Sequence, residues 1–472
     1  MKLRPLLSVA ALCVAHVLTA ATDFSARWEE IKRTATPKEL YTLLYALPKG
    51  GDLHNHLVGA FLPEQWYAAA TSTALPDRAN YYTRLKNAPV DLKLVEPSYP
   101  FETIRESVWK ALPAGDQANF KRLEDLTPEE KTVWLSLYKI DQPGEGRYTF
   151  FGAAPKQRLN QLGEDPVVLT ELLVEQMKCY GAEGVRYLEF QAPYTGFRRP
   201  DGTLLKPEEI VAAYEDRLAK PDAVATGVEV RFLITVRRFS PDAEDGVRDA
   251  YAFLNTHRDR WVGINMAGIE ERDQGYPLRF LEVYREMRRK YSNIGVSIHA
   301  GEMDGPNSHV RDTLLLGATR IGHGVTLIKD EDTLLLMRKS PWLVEINLVS
   351  NHLLEYVPDL AKHPFPEYLR LGIPVCLNTD DRGWWDSNMT DEHYVAVTRF
   401  DLTWAEILQI TKASFAHSFA QPEVKAKLLA NYEKSIAAFE AKYGAADWRD
   451  GLTSVKPVAY GYAQRQWGLT FP

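Results

Sequence analysis

Cysteine is scarce in this chain, with 3 cysteines among 472 residues. So few cysteines cannot form the dense disulfide framework of small exported domains, and a large buried core must stabilise the fold instead. Positive charge is not in excess either, because 56 lysines and arginines face 63 aspartates and glutamates, a formal net charge of −7. This balance, without a long basic run, argues against nucleic acid as a partner.

A long apolar run occurs only near the amino terminus, at residues 6–18. It follows Lys2 and Arg4 and precedes the small residues Thr19-Ala20-Ala21, a pattern typical of a cleavable signal peptide over residues 1–21. A membrane anchor or a first buried helix is the alternative, but the run is too short to span a bilayer. We therefore expect a secreted or periplasmic protein with no membrane segment after cleavage.

Cleavage would leave two cysteines, Cys179 and Cys376. A disulfide between them stays open at this level. Such low cysteine content in an exported chain is more typical of a large-cored bacterial periplasmic protein than of a disulfide-stabilised one. The apolar fraction of 45% and the charged fraction of 25% are those of an ordinary globular protein.

Short β-strand candidates alternate with amphipathic helical segments through most of the chain. The strands are at residues 184–190, 230–236, 261–266, 294–298, 342–346 and 373–377, with two more at His54 and Arg320-Ile321. Helical patterns between them include residues 168–180, 279–290 and 366–371. This alternation implies parallel pairing through right-handed crossovers, and eight strands predict an α/β fold, a (β/α)8 TIM-type barrel. The active site of such a barrel lies at the carboxyl ends of its strands.

Two regions lie outside the eight alternating strands and helices of a simple barrel. Residues 24–46 predict one or two helices before the first strand, and residues 63–163 are too long for one crossover. The aromatic content of this insertion favours folded structure over a flexible excursion. Helical patterns at residues 405–415 and 423–443 would complete the outer layer, so we expect one barrel domain over residues 22–472.

Four short motifs with chemically active side chains follow the strands. They are His54-Asn55-His56, His299-Ala300-Gly301-Glu302, Arg320-Ile321-Gly322-His323-Gly324 and Asn378-Thr379-Asp380-Asp381. Each alone has an ordinary explanation, such as a solvated histidine, a core histidine at a strand end or an acidic helix cap. Because side chains alternate along a strand, His54 and His56 point the same way and could hold one ion. Their joint occurrence at strand ends favours a single site.

Imidazole and carboxylate groups suit zinc, a borderline-soft ion that binds N and O ligands and keeps a position for water. Zinc lowers the pKa of that water and so provides a hydrolytic nucleophile near neutral pH. Glu302 lies three residues beyond His299 and could face the substrate as a proton donor if burial raises the pKa of its carboxyl. We therefore predict one zinc ion per chain.

The motifs resemble those of the adenosine deaminase family, within the amidohydrolase-type barrel enzymes. Residues 53–60 match its first metal motif, and residues 297–302, 320–324 and 377–381 match its later motifs in order and spacing. Residues 263–268 are similar to its substrate-lining glycine segment. The export signal and the long insertion resemble the secreted, growth-factor-related branch or a periplasmic bacterial counterpart.

The resemblance implies a reaction and a ligand set. The reaction is hydrolytic deamination of adenosine or 2′-deoxyadenosine to the inosine compound and ammonia, a step of purine metabolism. The absence of a Pro-Cys-x-x-Cys segment separates the chain from the cytidine-deaminase type of zinc site. The implied zinc ligands are His54, His56, His299 and Asp380.

The resemblance also implies catalytic and substrate-binding residues. Glu302 would protonate purine N1, and His323 would hold the attacking water and help to deprotonate it. Asp381 would hydrogen-bond N7, and the backbone of Gly268 would contact N3. The pair Ser350-Asn351 lies where the family has Ser-Asn or Ser-Ser, and it would either contact substrate or cap a loop.

Two departures from the family pattern bear on the substrate. Val58 stands where the family usually has an acidic residue that contacts the ribose 5′-hydroxyl. Arg382 replaces the usual proline, and a loop ion pair is favoured over contact with a substrate phosphate. The adjacent Trp384 and Trp385 either form a pocket wall or pack beneath the insertion. Two alternatives stay open, an aminohydrolase for AMP or a modified adenine derivative and a nucleoside-binding protein with vestigial catalysis. A homodimer is a possible assembly.

Overall fold

The structure is a computed structural model, and it describes residues 24–84, 103–152, 160–270, 275–444 and 447–471. The proposed signal peptide lies outside these ranges, so export stays a prediction. Within them, no helix combines the length and the apolar character that a membrane crossing requires. Cys179 and Cys376 are both free thiols, so the disulfide that the sequence left open is not formed.

Eight parallel strands form the central sheet, and each pairs with the next of the eight along the chain. Each of the eight strand predictions overlaps one of them, and the predicted (β/α)8 barrel is confirmed. The strands of the described residues are β1 Gly50–His56, β2 Tyr81–Thr83, β3 Thr103–Arg105, β4 Lys121–Arg122, β5 Val185–Gln191, β6 Glu229–Arg237, β7 Trp261–Ala267, β8 Gly295–Ala300, β9 Arg320–His323, β10 Leu343–Ile346 and β11 Val375–Leu377.

The barrel closes between its first and last strands through the residues that follow β11. The side-chain oxygen of Asn378 accepts from the backbone N–H of Leu53 at 2.9 Å. The backbone N–H of Asp380 donates to the carbonyl of His54 at 2.9 Å, and its carbonyl accepts from the N–H of His56 at 3.1 Å. Closure therefore fixes Asp380 directly beside the two histidines of the first strand.

Helices surround the barrel and precede it. The predicted amino-terminal helical region divides at residue 35, because Thr36 forms a capping box with Glu39 and starts a second helix. The α-helices span residues 24–34, Pro37–Ala46, Leu57–Ala60, Pro63–Thr71, Glu106–Ala111, Ala114–Gln117, Pro128–Ser136, Arg147–Gly152, Pro166–Ala182, Pro207–Leu218, Pro221–Ala225, Ala243–Thr256, Leu281–Lys290, His309–Leu316, Glu331–Met337, Leu348–Leu353, Phe365–Leu371, Arg382–Trp385, Met389–Phe400, Trp404–Ala416, Pro422–Tyr443 and Gly461–Trp467. Short 3-10 helices span Leu123–Asp125, Asn160–Glu164, Pro277–Phe280, Val325–Lys329, Leu360–Lys362 and Asp450–Ser454.

The insertion after β1 is folded where the structure describes it. Strands β2, β3 and β4 form a small antiparallel sheet in the order β3-β2-β4. Trp134 and Tyr138 are fully buried with their rings 4.4 Å apart, and the side chains of both contact the Thr103 hydroxyl of β3. Asp165, which caps the crossover helix Pro166–Ala182, also accepts from the Tyr81 hydroxyl at 2.7 Å. These contacts attach the insertion to the barrel.

Trp384 and Trp385 pack beneath the insertion, the second of the two interpretations of these residues. Both are buried, and their rings lie 5.1 and 5.0 Å from that of Phe150, in the insertion helix Arg147–Gly152. The backbone N–H of Ile140 donates to the Trp384 carbonyl at 2.9 Å. The insertion is thereby joined to the segment that follows the acidic pair.

Candidate active site

The carboxyl ends of the barrel strands bring the four motifs together. The ring of His54 lies 5.8 Å from that of His56, 4.3 Å from that of His299 and 4.9 Å from that of His323. Ligand atoms of His54, His299, His323 and Asp380 all lie within 4.8 Å of one another, and those of His56, Asp380 and Asp381 form a second such group. Asp380 belongs to both groups, so the predicted ligands share one site.

Asp380 is placed by an unusual backbone conformation. Its φ is 55°, in the left-handed region, which costs an L-residue about 1–2 kcal/mol. The closing hydrogen bonds to β1 hold this conformation and turn the carboxylate toward the histidines. Its Oδ1 atom lies 3.4 Å from Nε2 of His54 and 3.2 Å from Nε2 of His56.

These separations fit a bound zinc ion. Tetrahedral zinc with ligands at about 2.0–2.1 Å requires ligand atoms about 3.3 Å apart. Across the described part of the chain, no hydrogen-bond partner meets Nε2 of His54, Oδ1 of Asp380 or Nδ1 of His299, although all three atoms are buried. Buried polar atoms without partners lower the stability of a protein. A cation would satisfy Nε2 of His54 and Oδ1 of Asp380, which face each other.

His54 is oriented from its other ring nitrogen. Its Nδ1 atom lies 2.7 Å from a carboxylate oxygen of Glu345 on β10, and both side chains are fully buried. Glu345 in turn accepts from Ser297 at 3.0 Å and lies 2.7 Å from Nε of Arg320. A carboxylate behind a ligating histidine fixes its tautomer and makes it a stronger ligand. This arrangement is typical of a metal-binding histidine.

The charges of the site favour a positive occupant. Burial disfavours an imidazolium, yet the Asp380 and Glu345 carboxylates raise the pKa of His54 to about 10. A metal ion bound to His54 would take the place of this proton and supply the positive charge that the two carboxylates attract. Burial also opposes ionisation of Asp380, but His54 and His56 hold its pKa well below the usual range. Burial lowers the pKa of His299 well below its ordinary value, so this imidazole is neutral and able to bind a metal.

Glu302 lies just beyond the end of β8 and faces the same group. Its side chain is 7% exposed, and Oε2 lies 3.7 Å from Nε2 of His323. Burial raises the pKa of Glu302 well above its ordinary value, and the negative charges of Asp380 and Glu270 add to the effect. A carboxyl group whose pKa is raised in this way keeps its proton to higher pH than an ordinary glutamate and can act as a general acid.

Glu270 binds the backbone that carries the Glu302 side chain. Its carboxylate accepts from the backbone N–H groups of Gly301 and Glu302, each at 2.9 Å. It also lies 2.8 Å from Nδ1 of His309. Glu270 follows β7, so one carboxylate links the carboxyl ends of two neighbouring strands and fixes the direction of the Glu302 side chain.

We expect Glu270→Ala to destabilise the protein and to lower kcat. Two buried N–H groups would lose their acceptor, at about 1–3 kcal/mol for each unsatisfied group, and the Glu302 backbone would no longer be fixed. Denaturant unfolding and steady-state kinetics measure both effects. Glu270→Gln keeps one acceptor oxygen and should be intermediate, while Glu282→Ala on an exposed helix face should change neither. Unaltered kcat in Glu270→Ala would contradict the role given to this carboxylate.

The residues predicted to contact the purine lie at the same barrel end. Asp381 is buried, and its Oδ1 would lie only 1.6 Å from a Cβ added at Gly59, so glycine at position 59 leaves room for this carboxylate. Gly268 follows β7 with a φ of 111°, and a Cβ there would lie 2.7 Å from the ring of Phe239. A side chain at position 59 or 268 would therefore clash with its surroundings, and glycine is required at both positions.

Three further residues, Arg382, Asn351 and Ser350, have surroundings that bear on the sequence interpretation. Arg382 is buried, donates to Glu183 at 2.8 Å and lies over the ring of Tyr180 at 4.2 Å. Arg382 therefore forms an ion pair, the arrangement that the sequence favoured over contact with a substrate phosphate. Asn351 is buried in the helix Leu348–Leu353 and lies 3.0 Å from Nδ1 of His323, while the neighbouring Ser350 is fully buried.

The sequence interpretation missed the residues that support the site. Glu345, Glu270, Asn347 and His363 were not singled out, although each contacts a site residue or its backbone. A glutamate in the middle of the apolar run Leu343-Val344-Glu345-Ile346 was an available signal, because a buried strand carries charge only where a partner meets it.

Comparison with known proteins places this geometry in a family. A family model described as adenosine deaminase matches residues 161–435, more than half of the chain. The chain belongs to the adenosine deaminase family. The matched region contains His299, Glu302, His323 and the acidic pair, but it does not include the first metal motif. Folding of the barrel places His54 and His56 of that motif beside these residues.

Individual relatives agree with this assignment. Adenine deaminase of Chelativorans sp. (strain BNC1) is 32% identical over 278 residues, which cover 58% of this chain and 80% of that protein. Adenosine deaminase of Enterococcus faecalis is 36% identical over 278 residues, covering 59% and 74% respectively. The fold alone is shared with an amidohydrolase of Burkholderia ambifaria, solved with bound Zn, which has a TM-score of 0.58 at 18% identity and covers 85% of this chain and 94% of that chain.

Membership in this family makes the protein a hydrolytic deaminase of small purine compounds, with water as the second reactant. The buried histidines and Asp380 provide a group that could hold a metal ion. The relatives include both adenine and adenosine deaminases, so the family does not fix the substrate more finely.

Proposed function

We propose that this protein is a zinc-dependent deaminase that hydrolyses adenosine and 2′-deoxyadenosine to the corresponding inosine compound and ammonia. The observation that carries the proposal is the position of Glu302. A carboxyl with a strongly raised pKa lies beside His323 and the histidine–aspartate group. A protein that only binds nucleosides has no need of a buried proton donor at this position, which argues against vestigial catalysis.

The residues proposed to hold zinc are His54, His56, His299 and Asp380. When bound, zinc would lower the pKa of a water molecule and so supply the hydrolytic nucleophile near neutral pH. The unpartnered atoms of His54 and Asp380, the neutral imidazole of His299 and the carboxylate behind His54 support this assignment. The Burkholderia ambifaria amidohydrolase with bound Zn adds a precedent on the same fold.

The other residues bind and orient the purine and move its protons. Glu302 would donate its proton to ring N1, which makes C6 electrophilic, and its burial keeps that proton available at neutral pH. His323 would hold the attacking water next to Glu302. Asp381 would bind N7, and the backbone of Gly268 would bind N3, so the ring is held from two sides.

The surroundings of Arg382 favour a nucleoside over a nucleotide. Its guanidinium is buried in an ion pair with Glu183 and is not available to bind phosphate. Val58, the other residue that departs from the family pattern, is half-buried and packs against the cluster containing Trp384 and Trp385. The adenine deaminase relative keeps adenine itself as a second candidate substrate.

Ammonia release from a panel of aminopurines tests the proposal. Adenosine, 2′-deoxyadenosine, adenine, AMP and N6-methyl-AMP would be compared at equal concentration, with chelator-treated and zinc-reconstituted protein. We expect the largest kcat/KM for the two nucleosides, loss of activity on chelation and recovery with zinc. Preference for adenine or a nucleotide would reassign the substrate, and turnover of none of these compounds would refute the proposal.

A further inference from the structure

A buried chain of hydrogen bonds lies behind His323, on the side away from Glu302. Nδ1 of His323 lies 3.0 Å from the side-chain nitrogen of Asn351. The side-chain oxygen of Asn351 lies 3.1 Å from Nε2 of His363, and Nδ1 of His363 lies 3.1 Å from the backbone nitrogen of Phe365. His323, Asn351 and His363 are all nearly inaccessible to solvent.

The direction of every bond in this chain follows from its last member. The backbone N–H of Phe365 can only donate, so Nδ1 of His363 is an acceptor without a proton. Neutral His363 therefore carries its proton on Nε2 and donates it to the Asn351 oxygen. The Asn351 amide is thereby fixed with its nitrogen toward His323, and this nitrogen can only donate.

The helix that carries Asn351 is itself held in place. The Glu392 carboxylate accepts from the backbone N–H groups of Leu348 and Val349, at 2.8 and 3.1 Å, at the amino end of Leu348–Leu353. The side-chain nitrogen of Asn347 lies 3.2 Å from Nδ1 and 3.5 Å from Nε2 of His323, so this amide does not distinguish the two ring nitrogens. Of the two amides, only that of Asn351 contacts Nδ1 alone.

We propose that His363 and Asn351 are positioning residues that set the tautomer of His323, with its proton on Nε2. That nitrogen is the one directed at Glu302, 3.7 Å away. Neutral His323 then enters the reaction as a hydrogen-bond donor that holds the oxygen of the attacking water. It does not take a proton from that water, because Nε2 is already protonated and Nδ1 is occupied by the Asn351 amide. The water would instead lose that proton to solvent before the attack, because bound zinc would lower its pKa.

This inference rests on the proposed function and narrows the role of His323. The resemblance implied that His323 helps to deprotonate the water. The hydrogen-bond chain from Phe365 through His363 and Asn351 instead gives His323 the role of a donor only. Burial lowers the pKa of His363 to about 3, in agreement with the neutral ring that this hydrogen-bond pattern requires.

Nuclear magnetic resonance of the full-length, zinc-loaded protein labelled with ¹⁵N-histidine tests the tautomer directly. Long-range ¹H–¹⁵N correlations distinguish protonated from unprotonated ring nitrogens, and loss of signals in His323→Ala assigns this residue among the 11 histidines. We expect His323 to show a protonated Nε2 and an unprotonated Nδ1. The opposite pattern in the wild-type protein would overturn the proposal.

Asn351→Asp is the matched perturbation, because the side chain keeps its shape but can no longer donate. The carboxylate would accept from His363 and from His323, so Nδ1 of His323 should become protonated. We expect kcat to fall about 100-fold, as after loss of a donor to a reacting oxygen, with KM little changed and zinc content retained. Unchanged kcat or an unchanged protonation pattern in this variant would also overturn the proposal.

His363→Gln is the conservative control. A glutamine amide can donate to Asn351 as Nε2 of His363 does, so both the protonation pattern and kcat should stay close to wild type. Loss of the protonation pattern of His323 in this variant would contradict the proposed hydrogen-bond chain. Because the pattern is read without turnover, failure to deaminate any aminopurine would refute the proposed function and leave the tautomer assignment to be decided by the spectra.

Discussion

Glu302→Gln is expected to lower kcat by about 10²–10⁴-fold, the usual contribution of a general acid, while zinc stays bound. Glutamine preserves the volume and the backbone contacts with Glu270 but has no proton to give to the purine ring. Glu302 is not among the proposed ligands, so metal content should match that of the wild-type protein. Steady-state kinetics and metal analysis on the same preparation measure the two quantities.

The pH dependence of this variant provides a second criterion. Because the pKa of Glu302 is raised, its acid form persists to higher pH than that of an ordinary glutamate, and wild-type kcat should fall as pH rises through that raised pKa. Glutamine does not ionise, so the residual activity of Glu302→Gln should lack this alkaline decline. The exposed Glu331→Gln should behave as wild type. Full activity in Glu302→Gln would exclude this residue as the acid.

His54→Ala is expected to abolish stoichiometric zinc binding and to lower the stability of the protein. The substitution removes one ligand and also leaves Glu345 without one of its buried partners. Breaking a buried pair by removing one member costs about 3–5 kcal/mol, and the binding free energy of the metal is lost in addition. Metal analysis and thermal unfolding, each with and without added zinc, measure these effects.

The comparison with zinc separates the two contributions. Added zinc should raise the melting temperature of the chelated wild-type protein but not that of His54→Ala, because only the former can bind it. His257→Ala is a suitable control, since His257 follows the helix Ala243–Thr256 and lies near the amino end of β7, opposite the site. An equimolar zinc content in His54→Ala would show that His54 is not a ligand.

The barrel could be predicted from the sequence because its signals are local. Each strand is a short apolar run, and each intervening helix has its own amphipathic pattern, so eight alternations suffice to indicate the fold. The helices at residues 166–182 and 422–443 were predicted from the same periodicity within a few residues. The chemical motifs were also readable, because each is compact and follows a strand.

The supporting residues could not be found in the same way. The bond between His54 and Glu345 joins residues 291 positions apart, and that between Arg382 and Glu183 joins residues 199 apart. A single sequence contains no local pattern that pairs such positions. The orientation of His323 is a further case, since it depends on the backbone N–H of Phe365 two side chains away.

The sequence by itself thus determined which elements form and which end of each strand carries reactive groups, because periodicity and motif spacing are properties of neighbouring residues. Tertiary structure alone decided that the peptide of Asp380 closes the barrel and turns its carboxylate between His54 and His56. It also decided which buried carboxylates have cationic or hydrogen-bonding partners and which, like that of Glu302, have a raised pKa instead. Burial and partner distance set these properties, and both exist only once the chain has folded.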